Sequence, residues 1–363
     1  MAAPARPAAT PRPHKPWAPK HVRVTRAAQE HAHADEIVRR CEALGCDDIE
    51  LLKVDRITGV KGETERETYA RAKATLAVVV SPDSARKLDP IPPSADWRVD
   101  LARGCPAHCQ YCYLAGSLSG PPITRVYADL DRILANLDAY VGQGHVTSTS
   151  QARAHEGTTF EASCYTDPLG IEPATGSLAA AIAYVGTHSF PGPVQLRATT
   201  KFADVDPLLD LPHHGRTRLR FSLSPWPRYE GGTDPVGARV AALGTLASAG
   251  WPVGVTLAPI IPDGGWEVAY ASLLEDVAAA VPADADLTIE CITHRFTPGS
   301  RETLETWYPA SKLEMDPEQR KEKRGKFGSV KHVYPNDVMD HLRSTITDQI
   351  EEQLPQARVL YWT

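Results

Sequence analysis

From about residue 97 to residue 292 the chain alternates between two hydrophobic patterns. Short β-rich runs predict strands: WRVDLA (97–102), TTFEAS (158–163), VQLRAT (194–199), TRLRFS (217–222), VGVTLA (253–258) and DLTIECI (286–292). Between most of them lie Ala- and Leu-rich stretches with helical spacing, 127–142, 177–186, 235–250 and 266–281; the third interval offers only a short helix in FADVDPLLD (202–210). Such alternation implies βα units and a parallel sheet, and six strands predict an α/β fold built on a partial (β/α)6 TIM-type barrel over residues 95–300. Before it, Ile37, Val38, Cys41 and Leu44 mark a helix that stops at Gly45, and extended runs follow at 49–54 and 75–81. Residues 21–94 thus form a small N-terminal α/β cap, with the proline-rich LDPIPPSADW (88–97) as linker. Residues 301–363 hold a basic hairpin or loop at 320–332, a helix at 335–354 and a strand at 357–363.

Composition narrows the class. Hydrophobic residues make up 42% of the 363 and charged residues 23%, the balance of a globular protein. Residues 1–20 are rich in Pro, Ala and basic side chains, without the apolar core of a secretory signal, and read as a disordered tail. No run of about 18 apolar residues occurs, so no membrane span is expected and a cytoplasmic location is. A net charge of −6 argues against a generally basic nucleic-acid binder but leaves room for a local patch. One such patch is the segment with Arg320, Lys321, Lys323, Arg324, Lys326 and Lys331 and a single acid, Glu322; a solvated surface turn is the plainer alternative.

Chemistry gathers where strands end, as a barrel requires. The cysteine cluster follows the first strand, Cys164 the second and Lys201 the third; Ser222 ends the fourth, Ala258-Pro259 the fifth, and His294-Arg295 follow the sixth. Cys105, Cys109 and Cys112 have the spacing CxxxCxxC, and in a reducing compartment such clusters bind metal more often than they form disulfides. A structural zinc site takes four protein ligands, and His108 is confined within the loop beside Cys109. Three thiolates on a [4Fe–4S] cluster leave one iron open to chelate a small molecule through amino and carboxylate groups. That is the signature of a radical S-adenosylmethionine enzyme, and an aromatic residue before the last cysteine, Tyr111, belongs to it. A zinc or purely structural role stays as the alternative. A lone cysteine is ordinarily buried and inert, the reading for Cys41, Cys46 and Cys291 and, taken alone, for Cys164.

The runs GCPAHCQYCYLAG (104–116), FEASCYTDPLGIE (160–172), TTKFADVDPLLDLPHHGRTRLRFS (199–222), GTDP (232–235), LAPI (257–260), THRFT (293–297) and KFGSVK (326–331) resemble the spore photoproduct lyase family of radical S-adenosylmethionine DNA-repair enzymes. The similarity runs from about residue 70 to the C-terminus; the tail and part of the cap lack a counterpart. The resemblance implies cluster ligation by Cys105, Cys109 and Cys112, and S-adenosylmethionine contacts at Thr166, Lys201, Ser222 and Ala258. It makes Cys164 the hydrogen donor, with Tyr111 and Tyr113 as a radical relay. The implied reaction converts 5-thyminyl-5,6-dihydrothymine in DNA to two thymines, through a 5′-deoxyadenosyl radical that takes the C6 hydrogen and a hydrogen returned from Cys164. UV-damaged DNA would meet Arg324, Lys326, Phe327 and Lys331, an external donor such as flavodoxin or ferredoxin would supply the electron, and a monomer is expected.

Two positions depart from the family pattern. Lys326-Phe327 stand where the family usually has Arg-Tyr, and Thr166 replaces a serine. Lysine keeps charge without bidentate phosphate geometry, so lesion affinity or choice is where this chain would differ. Two alternatives from other classes stay open: a radical S-adenosylmethionine enzyme on the same scaffold with another nucleic-acid or small-molecule substrate, and a non-catalytic metal-bearing DNA-binding module.

Overall fold

The computed structural model describes residues 16–116, 120–147, 149–162, 164–324 and 330–363. The chain opens with β1 (His21–Val24), α1 (Ala32–Ala43), β2 (Asp48–Leu51), α2 (Glu65–Lys73) and β3 (Thr75–Val79), which begin a small sheet. The polar helix α2 has little apolar spacing to betray it, but Thr64 and Glu67 form a capping box at its start. Next come β4 (Asp89–Ile91), β5 (Ala95–Val99), β6 (Ala102–Arg103) and β7 (Thr124–Tyr127). The stretch predicted as one strand over 97–102 divides. Its first part, β5, starts the large sheet, and β6 turns back antiparallel to β7, which itself lies parallel to β3. The small sheet therefore has the order β2-β1-β3-β7-β6 and uses two strands from beyond residue 94. The proline-rich stretch read as a linker carries β4, an antiparallel edge strand on β5; an edge tolerates proline because one side needs no ladder donors.

The barrel continues through α3 (Leu130–Ala135), β8 (Thr158–Ala162), α4 (Glu172–Thr175), α5 (Ser177–Thr187), β9 (Val194–Thr200), β10 (Thr217–Leu223), α6 (Val236–Ser248), β11 (Val253–Ile260), α7 (Trp266–Ala280) and β12 (Leu287–Thr293). The helix predicted over 127–142 is shorter than expected because Tyr127 is drawn into β7, and a 3-10 segment, Asn136–Tyr140, completes it. After α8 (Pro298–Trp307) come the hairpin β13 (Lys321–Arg324) and β14 (Val330–Val333), α9 (Asn336–Gln353) and β15 (Arg358–Trp362). The large sheet has the order β15-β12-β11-β10-β9-β8-β5-β4 and is parallel apart from β4, a curled, open barrel with β15 as a seventh parallel strand. Among the described residues no helix is long and apolar enough to cross a membrane.

The period-2 pattern of the barrel strands divides two environments. Phe160, Leu196, Leu219, Phe221, Val255 and Ile289 belong to the main hydrophobic core. The alternate positions carry Glu161, Arg197, Arg220, Thr256 and Glu290, which gather on the concave side. Arg197 pairs with Glu290 at 2.6 Å and Arg220 with the other oxygen of Glu290 at 2.5 Å. Arg220 also pairs with Glu161, and the Tyr361 hydroxyl donates to Glu290 at 3.0 Å. Gly254 makes the room: a Cβ there would lie 2.7 Å from Cγ of Arg220.

Removing one partner from such a buried set leaves an uncompensated charge, so Glu290→Ala should lower the unfolding free energy by roughly 3–5 kcal/mol, read as a shifted urea midpoint. Burial alone would raise the Glu290 carboxyl, but Arg220 and Arg197 outweigh it and hold it at about 2, below its ordinary 4.5. A folded value below the unfolded one gives stability that is full above pH 4.5 and drains as pH falls towards 2. Acid titration of the urea midpoint should show that loss, and Glu290→Ala should lose less over the same range.

Candidate active site

The cysteine loop leaves the small sheet after β6 and rejoins it at β7, and between them it is tied to the barrel. His108 N donates to the Gly231 carbonyl (2.6 Å) and Gln110 N to that of Tyr229 (2.9 Å), both beyond the end of β10. Gly104 starts the loop with φ +88°, where a Cβ would lie 2.2 Å from the Ile123 carbonyl oxygen. Its N–H donates to Tyr165 O at 2.8 Å, fastening the loop to the segment that carries Cys164. From α2 the buried Lys73 ammonium donates to the carbonyls of Cys105 (2.8 Å) and Ala107 (2.5 Å).

Burial pushes the Cys105 and Cys109 thiols up to about 12, against the pull of Lys73 on the first and Lys201 on the second. Thiolates are stable in such a place when a metal shares their charge. His108 is hydrogen-bonded at Nδ1 to the Tyr69 hydroxyl (2.9 Å), which also meets Tyr308 (2.6 Å). Burial and then Lys73 lower His108 to about 4. Among the described residues no three His, Cys, Asp or Glu side chains gather closely enough for a single ion. A cubane does not require that, because each thiolate takes a different iron. The soft, three-thiol donor set fits a cluster.

Beside this loop three of the predicted cofactor positions converge. The period of β10 and β11 turns Ser222 and Ala258 to the concave side, and Lys201 follows β9. Lys201 Nζ donates to Ser222 Oγ (2.9 Å), to Glu230 Oε1 (2.7 Å) and to the Ala258 carbonyl (3.4 Å), while Ser222 Oγ donates to that carbonyl at 3.0 Å. Glu230, absent from the sequence reading, is the hub. It also pairs with Arg239 and accepts from the Tyr111 hydroxyl. Burial would raise its carboxyl, but Lys201 and Arg239 bring it below the usual range. An acid beside Gly231-Gly232 was visible in the sequence; its partners, from β9, α6 and the cysteine loop, were not.

The fourth position, Thr166, is buried with a hydroxyl that has no hydrogen-bond partner. Its neighbour Asp167 accepts from Thr200 Oγ1 (2.7 Å) and Lys201 N (2.6 Å), which sets the Thr166 turn against the same shelf. An orphaned buried hydroxyl is costly, and a polar cofactor bound there would satisfy it.

Cys164 lies just past β8, half-buried. Burial first, then Glu161 and Asp100, push its thiol well above its ordinary value, so it is an S–H group at neutral pH. The Tyr113 hydroxyl donates to the Cys164 carbonyl, with the Tyr113 side chain 63% exposed at the mouth of the barrel. Tyr111 turns the other way, its ring 5.2 Å from the Lys201 ammonium. The two tyrosines beside Cys112 thus face different parts of one site. Tyr165 is held between Arg98 and Arg103, whose guanidinium carbons lie 4.6 and 5.3 Å from its ring centroid, and it accepts from Arg98 Nη1 at 3.0 Å.

The hairpin of basic residues forms, with Lys323 opposite Lys331 and Arg324 opposite Val330. Arg324 and Lys331 are exposed on it; Lys326 and Phe327 lie outside the described residues. Its root is fixed to the chain just after β12. Phe296 and His332 exchange backbone hydrogen bonds of 3.2 and 2.8 Å, and their rings stack at 5.0 Å. Arg320 packs 3.7 Å from the Tyr334 ring centroid, donates to Glu314 Oε2 (2.8 Å) and reaches the His294 carbonyl (3.1 Å).

Residues 17–363 match the family model described as spore photoproduct lyase. The match takes in the cap, which the motif comparison had left partly without a counterpart. Among similar proteins, the spore photoproduct lyase of Bacillus subtilis (strain 168) is 35% identical over 353 residues, covering 96% of this chain and 99% of the relative. That of Geobacillus sp. (strain Y412MC61) is 37% identical over 356 residues, covering 96% and 100%. Of the solved structures, a spore photoproduct lyase double mutant with bound AdoMet and dinucleoside spore photoproduct superposes with a TM-score of 0.86 at 36% identity, covering 96% of this chain and 100% of that one. A spore photoproduct lyase complexed with dinucleoside spore photoproduct gives the same figures. The curled half-barrel is the fold of these structures.

Gly104 offers a test of how the site is assembled. Gly104→Ala places a methyl group against backbone in a left-handed conformation, a cost of about 1–3 kcal/mol for the conformation alone. It should lower the thermal midpoint and, by displacing Cys105, the iron bound per chain after anaerobic reconstitution.

Proposed function

The chain belongs to the spore photoproduct lyase family, and on that premise we propose that it repairs spore photoproduct, 5-thyminyl-5,6-dihydrothymine, in DNA to two thymines. The observation that carries the reading is a convergence at one barrel mouth. The three-thiol loop, the Lys201–Ser222–Ala258 shelf with its unsatisfied Thr166 hydroxyl, and a protonated Cys164 all meet there. Cys105, Cys109 and Cys112 would hold a [4Fe–4S] cluster, and Thr166, Lys201, Ser222 and Ala258 would hold S-adenosylmethionine. When bound, these groups supply reductive cleavage of the sulfonium and a 5′-deoxyadenosyl radical that takes the C6 hydrogen of the lesion.

The protein's own residues then have separable tasks. Glu230 pairs with both Lys201 and Arg239, so one carboxylate orients both cations and offsets part of their buried positive charge. Cys164 gives its thiol hydrogen to the thymine radical left when the methylene bridge breaks; an S–H bond forms a C–H bond downhill. A high thiol pKa suits that task, because a thiolate has no hydrogen to give. Tyr113, bonded to the Cys164 backbone, restores hydrogen to the sulfur, and Tyr111, on the Lys201 side, restores it to Tyr113. The hydrogen first taken from the lesion returns through Tyr111, and no net oxidation results. Arg324, Lys326 and Lys331 would meet DNA phosphates, with Phe327 as a wedge where the two bases leave the stack. An external one-electron donor such as flavodoxin or ferredoxin would serve the cluster. We place the protein in the cytoplasm, acting as a monomer.

The test is anaerobic reconstitution followed by reduction with S-adenosylmethionine and the dinucleotide lesion. Conversion of the lesion to the unlinked dithymidine dinucleotide is expected; an intact cluster that yields 5′-deoxyadenosine without that product would exclude the reading. Cys164→Ala should still cleave S-adenosylmethionine but lose most of the restored product, because the substrate radical must find its hydrogen elsewhere.

A further inference from the structure

Arg295 stands two residues after β12, at the point where the chain passes from the barrel to the root of the basic hairpin. Other arginines around the mouth are matched to carboxylates: Arg98 and Arg103 to Asp100, Arg220 to Glu161 and Glu290, Arg239 to Glu230. Arg295 is exposed and has no hydrogen bond or ion pair among the described residues. Its electrostatic neighbours are Tyr361 and Tyr113, and Tyr113 touches Cys164. On the hairpin side its neighbour is another cation. Lys331 sits one residue before His332, the antiparallel bridge partner of Phe296, so Arg295 and Lys331 lie diagonally across that bridge, both on the face that Phe296 and His332 leave free. Partial burial, then the charges of Arg295 and Lys323, hold the Lys331 ammonium below its ordinary value. Two coupled cations without an ion-pair partner among the described residues are a standing electrostatic cost that an anion between them would remove.

We propose that Arg295, with Lys331, binds the phosphodiester joining the two nucleosides of the lesion, and so sets the lesion's register over Cys164. The inference rests on the repair reading, because it takes the occupant of the mouth to be two linked nucleosides. Tyr113 bonds the Cys164 backbone and is an electrostatic neighbour of Arg295, so the proposed place for the sugar–phosphate link is on the Tyr113 side. There a planar guanidinium meets two phosphate oxygens and the Lys331 ammonium reaches a third position as a point charge. Among the described residues Arg295 pairs with no carboxylate, so binding breaks no ion pair seen there.

The experiment compares the spore-photoproduct dinucleotide with the dinucleoside that lacks the phosphate, measuring dissociation constants by calorimetry on the reconstituted protein with S-adenosylmethionine. Wild type should favour the dinucleotide by about tenfold at low ionic strength, a preference that shrinks as salt rises. Arg295→Gln should abolish most of that preference while leaving dinucleoside affinity in place, which also reports that the variant is folded. Arg295→Lys should keep part of the preference. Equal weakening of both ligands, or no change in the ratio, overturns the proposal and leaves the repair reading standing. Failure of wild type to bind either ligand overturns both.

Discussion

The concave face of the barrel is held by charge. Glu161, Arg197, Arg220 and Glu290 come from four different strands, and none has water to fall back on. A one-residue slip of β8, β9, β10 or β12 would turn a charge into the apolar core behind the sheet and expose a Phe or Leu to the network. Buried ion pairs add little net stability over apolar packing of the same volume. Here their effect is selective, since they disfavour every register but one. The height of Ser222 follows, two residues beyond Arg220 on β10, and Ala258 lies beside it on β11, two residues beyond Thr256, while Cys164 comes three residues after Glu161, just past β8.

A second constraint operates at the seam between the two sheets. The cysteine loop belongs by chain order to the small sheet and by contact to both. Lys73 enters from the cap to bind its carbonyls, the Tyr229 and Gly231 carbonyls receive its N–H groups from the barrel, and Gly104 ties it to Tyr165. The cap core includes Ile171 and Ala174, which follow Cys164 on the barrel side. The cap thus helps form the site, positioning the loop from the side that the open barrel leaves uncovered.

Much of this was legible from residue order. The six strands, the helices between most of them and the gathering of unusual residues at strand ends all follow from local pattern, because each βα unit is a local structure. Lys201, Ser222 and Ala258 could be placed near one another because the barrel puts strand ends together. What escaped depends on contacts between distant segments. Tyr127 looks helical by spacing but pairs with β3; α2 lacks an apolar stripe and stands on its capping box; and β4 hides among prolines that only an edge tolerates. Glu230 went unremarked because a single acid in a glycine-rich turn has no signature. Its importance lies in Lys201, Arg239 and Tyr111, which no local window contains.

The environment of Cys164 has a consequence for the protein's durability. Oxidants attack thiolates far faster than thiols, and the first products are sulfenic acid and mixed disulfides. Burial and the nearby carboxylates keep Cys164 protonated. The same electrostatics make it a poor target for peroxide or oxidised glutathione. The Cys164 thiol thus outlasts oxidative conditions that would consume a low-pKa cysteine in the same position.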